Sequence, residues 1–471
     1  MSSPGTTSSV TEARRALEHW AGPGAINLLM ISPLGRSGSL LIQSLLDEHP
    51  EVATFSHWFE VGYDDLGPST PRAGEAAARR YAVTMVERCR GLFTGYYYGD
   101  ESFLSRGGAL TAELTTLDAG RFVDALIAIL GEEPFDRKRF FLAAYAAMRL
   151  VRGLSFRDVR WLVYHNHYLK LPDGSSLPRD FPSLHAIVTT RDPRESMLSF
   201  RKLEMKIANS THVFAQGLAR LKVDAALLVR AARLWSVLPA ERLRIVDLNE
   251  LHARGSEAID ALARWLAITR TPSLELSTVY GTPWSGNAVD GKPRRGLDES
   301  FAALRWPDLL PPTWVALTET LLGAHITSFG YTRPSMRLRR PELVRKILLH
   351  DPYPALFART VYDPSLGGMR TPRELLDEAL NAPRNTKVDA LPCFGTAYRL
   401  ARAVRRYVRL SVRPRLAQVR ARYRLGEVAV FEQAEAALEA APPPGEAFLV
   451  PVAQARATDG SSSPAESDPL S

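Results

Sequence analysis

The sequence predicts an α/β protein with a central parallel sheet and helices on both faces. Strand-length apolar runs at Ile26–Ile31, Trp161–His167, His185–Thr190 and Arg244–Leu248 supply the sheet. Segments with apolar residues at helical spacing, such as Gly217–Ser236 with Leu218, Leu221, Ala225, Leu228 and Ala232 on one stripe, separate or follow them. Two of the strands also run directly into a helix-start signal, the strand–loop–helix order of a parallel sheet.

Taken in order, residues 1–20 read as a tail and a short helix, Thr11–Trp20. Ile26–Ile31 is a strand, and Leu40, Leu41, Leu45 and Leu46 then repeat at helical spacing until His49-Pro50 ends the helix. Ser69–Arg90, Leu110–Leu130 and Phe140–Arg152 read as helices. Asp192-Pro193-Arg194-Glu195 starts another, with Asp at N-cap, Pro at N1 and Glu at N3. Ser256–Ala267 and Trp306–Tyr331 are the last helical stretches of a main domain spanning 21–335. A mostly helical basic extension follows over 336–440, and Pro and Ser clusters mark 441–471 as a disordered tail.

With 471 residues and 45% apolar content the chain can bury a full core. No apolar run reaches the ~18 residues of a spanning helix, and MSSPGTTSSVTEARRALEHW has no secretory-signal pattern. Two distant cysteines, Cys89 and Cys393, offer neither metal spacing nor a disulfide framework, so a cytoplasmic, reducing compartment is expected. The net charge of +8 is outweighed by Thr396–Arg424, which holds ten arginines and no acid. The rest is near neutral, so no specific nucleic-acid binding is expected of the main domain. The basic segment suits an acidic protein partner, a peripheral membrane contact, or packing on the domain with its arginines solvated.

The chemistry centres on Gly35-Arg36-Ser37-Gly38-Ser39 between strand and helix. Glycine lets backbone approach an oxyanion, and first-turn N–H groups point at it. Arg36 adds fixed charge, and Ser37 and Ser39 add hydroxyls, for a phosphate or a sulfate. A Walker A loop would need lysine and a hydroxyl residue after its second glycine; here Ser39-Leu40 follow Gly38. The second constellation is Arg191 at the end of its strand, with Ser199 two helical turns further on. Ligands of open parallel sheets collect at such strand ends.

RSGSLLIQSLLDEHPEV resembles the 5′-phosphosulfate loop of sulfotransferases that use 3′-phosphoadenosine 5′-phosphosulfate (PAPS), with Leu40 in place of the second hydroxyl. Arg191 and Ser199, eight residues apart, resemble the family's 3′-phosphate pair. The resemblance covers about two thirds of the chain. It implies a P-loop-like three-layer fold, PAPS as co-substrate, no metal, and sulfuryl transfer to a hydroxyl or amine of a small molecule, sugar or lipid. The implied donor contacts are Arg36, Ser37, Gly38, Ser39, Leu40, Arg191 and Ser199, joined by Lys292, Arg294 and Arg295 of a late basic loop, with Trp284 toward adenine. Arg36 would also act catalytically. Some members of that family carry a carboxylate base seven residues past the proline; at that interval from Pro50 this chain has His57, and the resemblance offers His165 or His167 of the His165-Asn166-His167 cluster as the other candidates for the base. An HNH metal nuclease would need further ligands, and none lies nearby. The rival functions are an ATP-dependent small-molecule kinase and a non-catalytic scaffold working through the basic extension.

Overall fold

The computed structural model describes residues 5–56, 59, 61–94, 117–166, 175–207, 213–284, 296–331, 361–363, 368–370, 430–444 and 449. Five parallel strands form the central sheet: β1 (Asn27–Pro33), β2 (Val52–Thr54), β3 (Trp161–His165), β4 (His185–Thr190) and β5 (Leu243–Asp247). Their spatial order is β2-β3-β1-β4-β5. In the register, Ile31 lies opposite His165, Pro33 opposite Thr189, and Thr190 opposite Asp247.

Alternation along each strand divides the core between two faces. Leu28 and Met30 of β1, Leu162 and Tyr164 of β3, and Ala186 and Val188 of β4 share one cluster. Against that face pack α1 (Gly5–Ala21), α5 (Ala119–Leu130), α6 (Arg137–Arg152) and α9 (Val213–Val237). Leu29, Ile31, Val163 and Ile187 point the other way. There they meet Ile42, Leu45 and Leu46 of α2 (Ser39–Leu46) and Ile259, Leu262 and Leu266 of α10 (Leu248–Leu266). A sheet covered on both faces needs continuous apolar stretches, and Leu28–Ile31 of β1 and Ala186–Val188 of β4 supply them.

The remaining helices are α3 (Glu75–Arg88), α4 (Gly91–Thr94), α7 (Leu177–Asp180), α8 (Pro193–Ile207), α11 (Trp306–Leu309), α12 (Pro312–Leu321) and α13 (Gly323–Ser328). Two hairpins complete the set, β6 (Thr278–Val279) with β7 (Thr282–Pro283) and β8 (Val361–Asp363) with β9 (Gly368–Arg370). Among the described residues no helix is long and apolar enough to cross a membrane.

The chain leaves β1 toward β2 and leaves β4 toward β5, although β1 and β4 are neighbours. Connections that diverge from adjacent strands open a crevice at their carboxyl ends, the place where such sheets bind ligands. The loop after β1 and the helix after β4 both begin there.

Several elements differ from their expected bounds. The first helix begins at Gly5, in the stretch read as frayed, because Ala13, Leu17 and Trp20 dock on the core and stabilise the turns before them. The helix expected from Ser256 starts at Leu248, where the Asp247 carboxylate caps Glu250, and a kink at Gly255 joins the two parts. The stretch 306–331 is three short helices, each of the last two beginning where the chain turns, at Pro312 and Gly323. Residues 430–440 are helical, and Ala434 and Leu438 are buried in the main core. Residues 441 and 449, placed by sequence in a disordered tail, are held: Trp235 Nε1 donates to the Ala441 carbonyl at 2.6 Å, and the Leu449 N–H donates to Ile245 of edge strand β5 at 2.9 Å. Covering that edge satisfies backbone groups that would otherwise be open to pairing. The arginine-rich stretch 396–424 lies outside the described residues.

Aromatic side chains fill the wall between α6 and the sheet. Phe141, 1% exposed, has the rings of Tyr63, Tyr145, Tyr164 and Phe181 within 5.1–5.6 Å. Truncating it removes several of these contacts and leaves a cavity, so Phe141→Ala should lower stability by about 3–5 kcal/mol in urea unfolding.

Candidate functional site

The loop after β1 is fastened to β4 from its first residue. The Leu34 N–H donates to the Thr189 carbonyl at 2.8 Å, and the Ser37 and Thr189 hydroxyls are 2.7 Å apart. Gly38 then takes a left-handed conformation, φ 79°, as N-cap of α2. A Cβ there would lie 2.4 Å from Leu248 Cδ1, a side-chain tip that would have to shift, and the left-handed conformation itself calls for glycine. Beyond Gly38 the first turn of α2 presents its N–H groups out of the helix end. A helix end of this kind can hold an anion.

Arg36 and Ser199 meet. Arg36 Nε donates to Ser199 Oγ at 3.1 Å, joining the loop after β1 to α8 across 163 positions of sequence. One turn earlier on the same face of α8, Ser196 is 4% exposed, and its hydroxyl has no hydrogen-bond partner among the described residues. That oxygen lies 3.4 Å from where a Cβ on Gly35 would stand, as does a carboxylate oxygen of Asp224, which is paired with Arg220 at 3.0 Å. The Asp224 carboxyl is shifted upward by its burial, with Arg220 opposing.

Arg191 sits at the end of β4, 5% exposed. Its Nε donates to Asn249 Oδ1 at 2.9 Å, and its Nη2 lies 3.5 Å from Glu195 Oε1. Glu195 is fully buried, and it also accepts the backbone N–H groups of Arg305 and Trp306 and the Arg305 guanidinium. The acid expected to close a capping box therefore organises a charge network, while Asp192 takes the Arg194 N–H at 2.8 Å.

Leu40, which follows Ser39 in the first turn of α2, packs against the Val279–Trp284 pair. Trp284 is thereby placed beside the first turn of α2. Ser39 is buried at the helix start. His165 is buried at the end of β3, with Nδ1 2.8 Å from Gln43 Oε1. Gln43 Nε2 donates to Thr54 Oγ1 and to the Phe55 carbonyl, so Oε1 is the accepting end of that amide. His165 must then carry its proton on Nδ1, which leaves Nε2 as the basic nitrogen. His57, His167, Lys292, Arg294 and Arg295 lie outside the described residues.

Sequence reasoning did not find Gln43, Asn249, Ser196 or Asp224. The only local trace of Gln43 is its spacing of four from Ser39 on α2, and Asn249, just past the strand Arg244–Leu248, belongs to no motif.

No family model matches the chain, and no curated protein matches it. Among solved structures it is similar to the sulfotransferase domain from the curacin biosynthetic pathway, with 15% identity and a TM-score of 0.40, covering 66% of this chain and 99% of that one. It is also similar to sulfotransferase STF9 from Mycobacterium avium, with 12% identity and a TM-score of 0.33, covering 70% and 86%.

Asp247, at the end of β5 beside this site, accepts the Tyr331 hydroxyl at 2.5 Å and the Glu250 N–H at 2.9 Å. Burial pushes its carboxyl up to about 6 from 3.8. Folding thus takes up a proton here, and the contribution of this carboxyl to stability is full below pH 3.8 and lost as pH rises through about 6. Asp247→Asn cannot ionise, so its stability relative to the parent should rise between about pH 4 and about pH 7, read from urea midpoints.

Proposed function

We propose that the protein transfers a sulfuryl group from PAPS to a hydroxyl or amine acceptor. The observation that carries this reading is the bond between Arg36 and Ser199, which brings the two anion motifs of the sequence to one crevice at the β1/β4 strand ends. A donor with phosphate on both its 5′ and 3′ positions needs two anion sites at a fixed separation; a nucleoside triphosphate needs one contiguous cradle, with a lysine and a magnesium-binding hydroxyl that this loop lacks. The chain also has groups that fit such a donor: the Gly38 cradle, the N–H groups of the first turn of α2 and the buried Ser196 hydroxyl.

In the reaction, a lone pair on the acceptor oxygen or nitrogen attacks sulfur in line. The bond from sulfur to the bridging oxygen breaks, and its electron pair stays on the 5′-phosphate as 3′-phosphoadenosine 5′-phosphate leaves. Arg36 and the loop N–H groups stabilise that growing charge. Arg191 and Ser199 hold the 3′-phosphate and fix the donor's orientation. The acceptor's proton passes to His57, His165 or His167; for His165, the Gln43 bond leaves Nε2 as the atom that takes it. We assign Trp284 to adenine, and Lys292, Arg294 and Arg295 to the charge of the 3′-phosphate. We place this chemistry in the cytoplasm, with an acidic protein or a membrane surface as the partner of 396–424.

Calorimetry on the full chain tests the donor. 3′-Phosphoadenosine 5′-phosphate should bind at about micromolar Kd, AMP at least about tenfold more weakly, and Arg36→Ala should weaken the bisphosphate by about tenfold or more. Preference for ATP with magnesium, or equal binding of AMP and the bisphosphate, would contradict the reading.

A further inference from the structure

The hairpin β6–β7 is a tight two-residue turn, with Tyr280 at φ 50° and Gly281 at φ 77°. Two successive residues of positive φ are the type I′ arrangement, and a tyrosine there is strained unless its surroundings hold it. They do. The Asp47 carboxylate, buried at the C-cap of α2, accepts the Thr278 hydroxyl at 3.1 Å and the Gly281 N–H at 2.8 Å on one oxygen. Its other oxygen accepts the Ser56 hydroxyl at 2.8 Å, and Arg152 lies 3.6 Å away. Ser56 Oγ in turn accepts the Tyr280 N–H at 2.9 Å, and the Tyr280 hydroxyl donates to the Leu92 carbonyl.

What this clamp holds is the residue that follows the hairpin. The Trp284 N–H donates to the Ser277 carbonyl at 2.9 Å, and the Trp284 ring packs with Val279 and with Leu40 in the first turn of α2. Trp284 is 6% exposed, yet its indole Nε1–H has no partner among the described residues. A buried donor left open costs stability unless a ligand completes it. One end of α2 carries the anion loop and the other end carries Asp47, so the short rigid helix fixes the distance between loop and indole.

Resting on the sulfuryl-transfer reading, we infer that Asp47 is a positioning residue for the base of the nucleotide donor: it sets the β6–β7 hairpin so that Trp284 offers its Nε1–H and ring to a heteroaromatic base beside the phosphate loop. The lining is unlike a phosphate contact, since neither Leu40 nor Trp284 carries charge. Leu40, where the family has a hydroxyl, is then the packing partner that seats the indole.

The test compares two ligands by calorimetry on the full chain, 3′-phosphoadenosine 5′-phosphate and the base-free ribose 3,5-bisphosphate. Asp47→Asn keeps the shape but turns an amide N–H toward at least one of its donors, and Trp284→Phe keeps a ring without the N–H. Each should weaken the nucleotide by about tenfold while changing the base-free bisphosphate by less than about twofold. Equal loss on both ligands, or loss on neither, overturns the inference and leaves the donor assignment standing. A parent chain that binds neither ligand overturns the donor assignment and the inference with it. Should Asp47→Asn not fold, Trp284→Phe and Ser56→Ala decide by the same comparison.

Discussion

The pairing of β1 with β4 is the constraint on which the site depends. Their parallel ladder runs from Leu29 opposite His185 to Pro33 opposite Thr189, and it does not stop where the strands do. Leu34 extends it by a backbone bond to Thr189, Ser37 by a hydroxyl contact to the same residue, and Arg36 by its bond to Ser199. Two connections that leave in opposite directions are thereby held together over their first residues. A crevice between diverging connections is a general property of the sheet topology. Here its walls are also tied to each other, so the spacing of the loop after β1 and the start of α8 is set by the ladder rather than by loop conformation.

Charge burial around α8 serves the same end. Arg194 is sandwiched between Asp192 at 2.7 Å and Glu319 at 2.8 Å, with its guanidinium 3.9 Å over the Trp306 ring. Glu195 gathers Arg191, Arg305 and two backbone N–H groups. Buried ions are tolerated when each is paired and hydrogen-bonded, and removing one partner strands the other. This makes the network a poor source of net stability and a strong determinant of position. It fixes the first turn of α8 against the segment 305–306, and so fixes where Ser196 and Ser199 face the loop.

The sheet strands and the strand–loop–helix junctions that follow β1 and β4 were legible because they are local. Ile26–Ile31, Gly35–Ser39, His185–Thr190 and the Arg191–Ser199 interval are each contained in a short window whose periodicity and turn chemistry speak for themselves. The partners of those residues were not legible, because they come from distant segments. Nothing near Ser37 says that its hydroxyl meets Thr189, nothing near Leu40 points to Trp284, and Asp47 reads as an ordinary acid at a helix end until Thr278 and Gly281 are brought to it. Helix bounds failed for the same reason: α1 starts at Gly5 because of core contacts far along the chain, and Leu449 leaves the expected tail to pair with Ile245.

On the proposed function, one bisphosphate ligand engages both tied walls of the crevice at once. Hydrogen exchange of the full chain, with and without saturating 3′-phosphoadenosine 5′-phosphate, reads both walls in a single experiment. Slower exchange at 35–42 and at 190–200 together is the predicted result. Protection of only one of these segments, or of neither, would contradict a ligand that spans both walls.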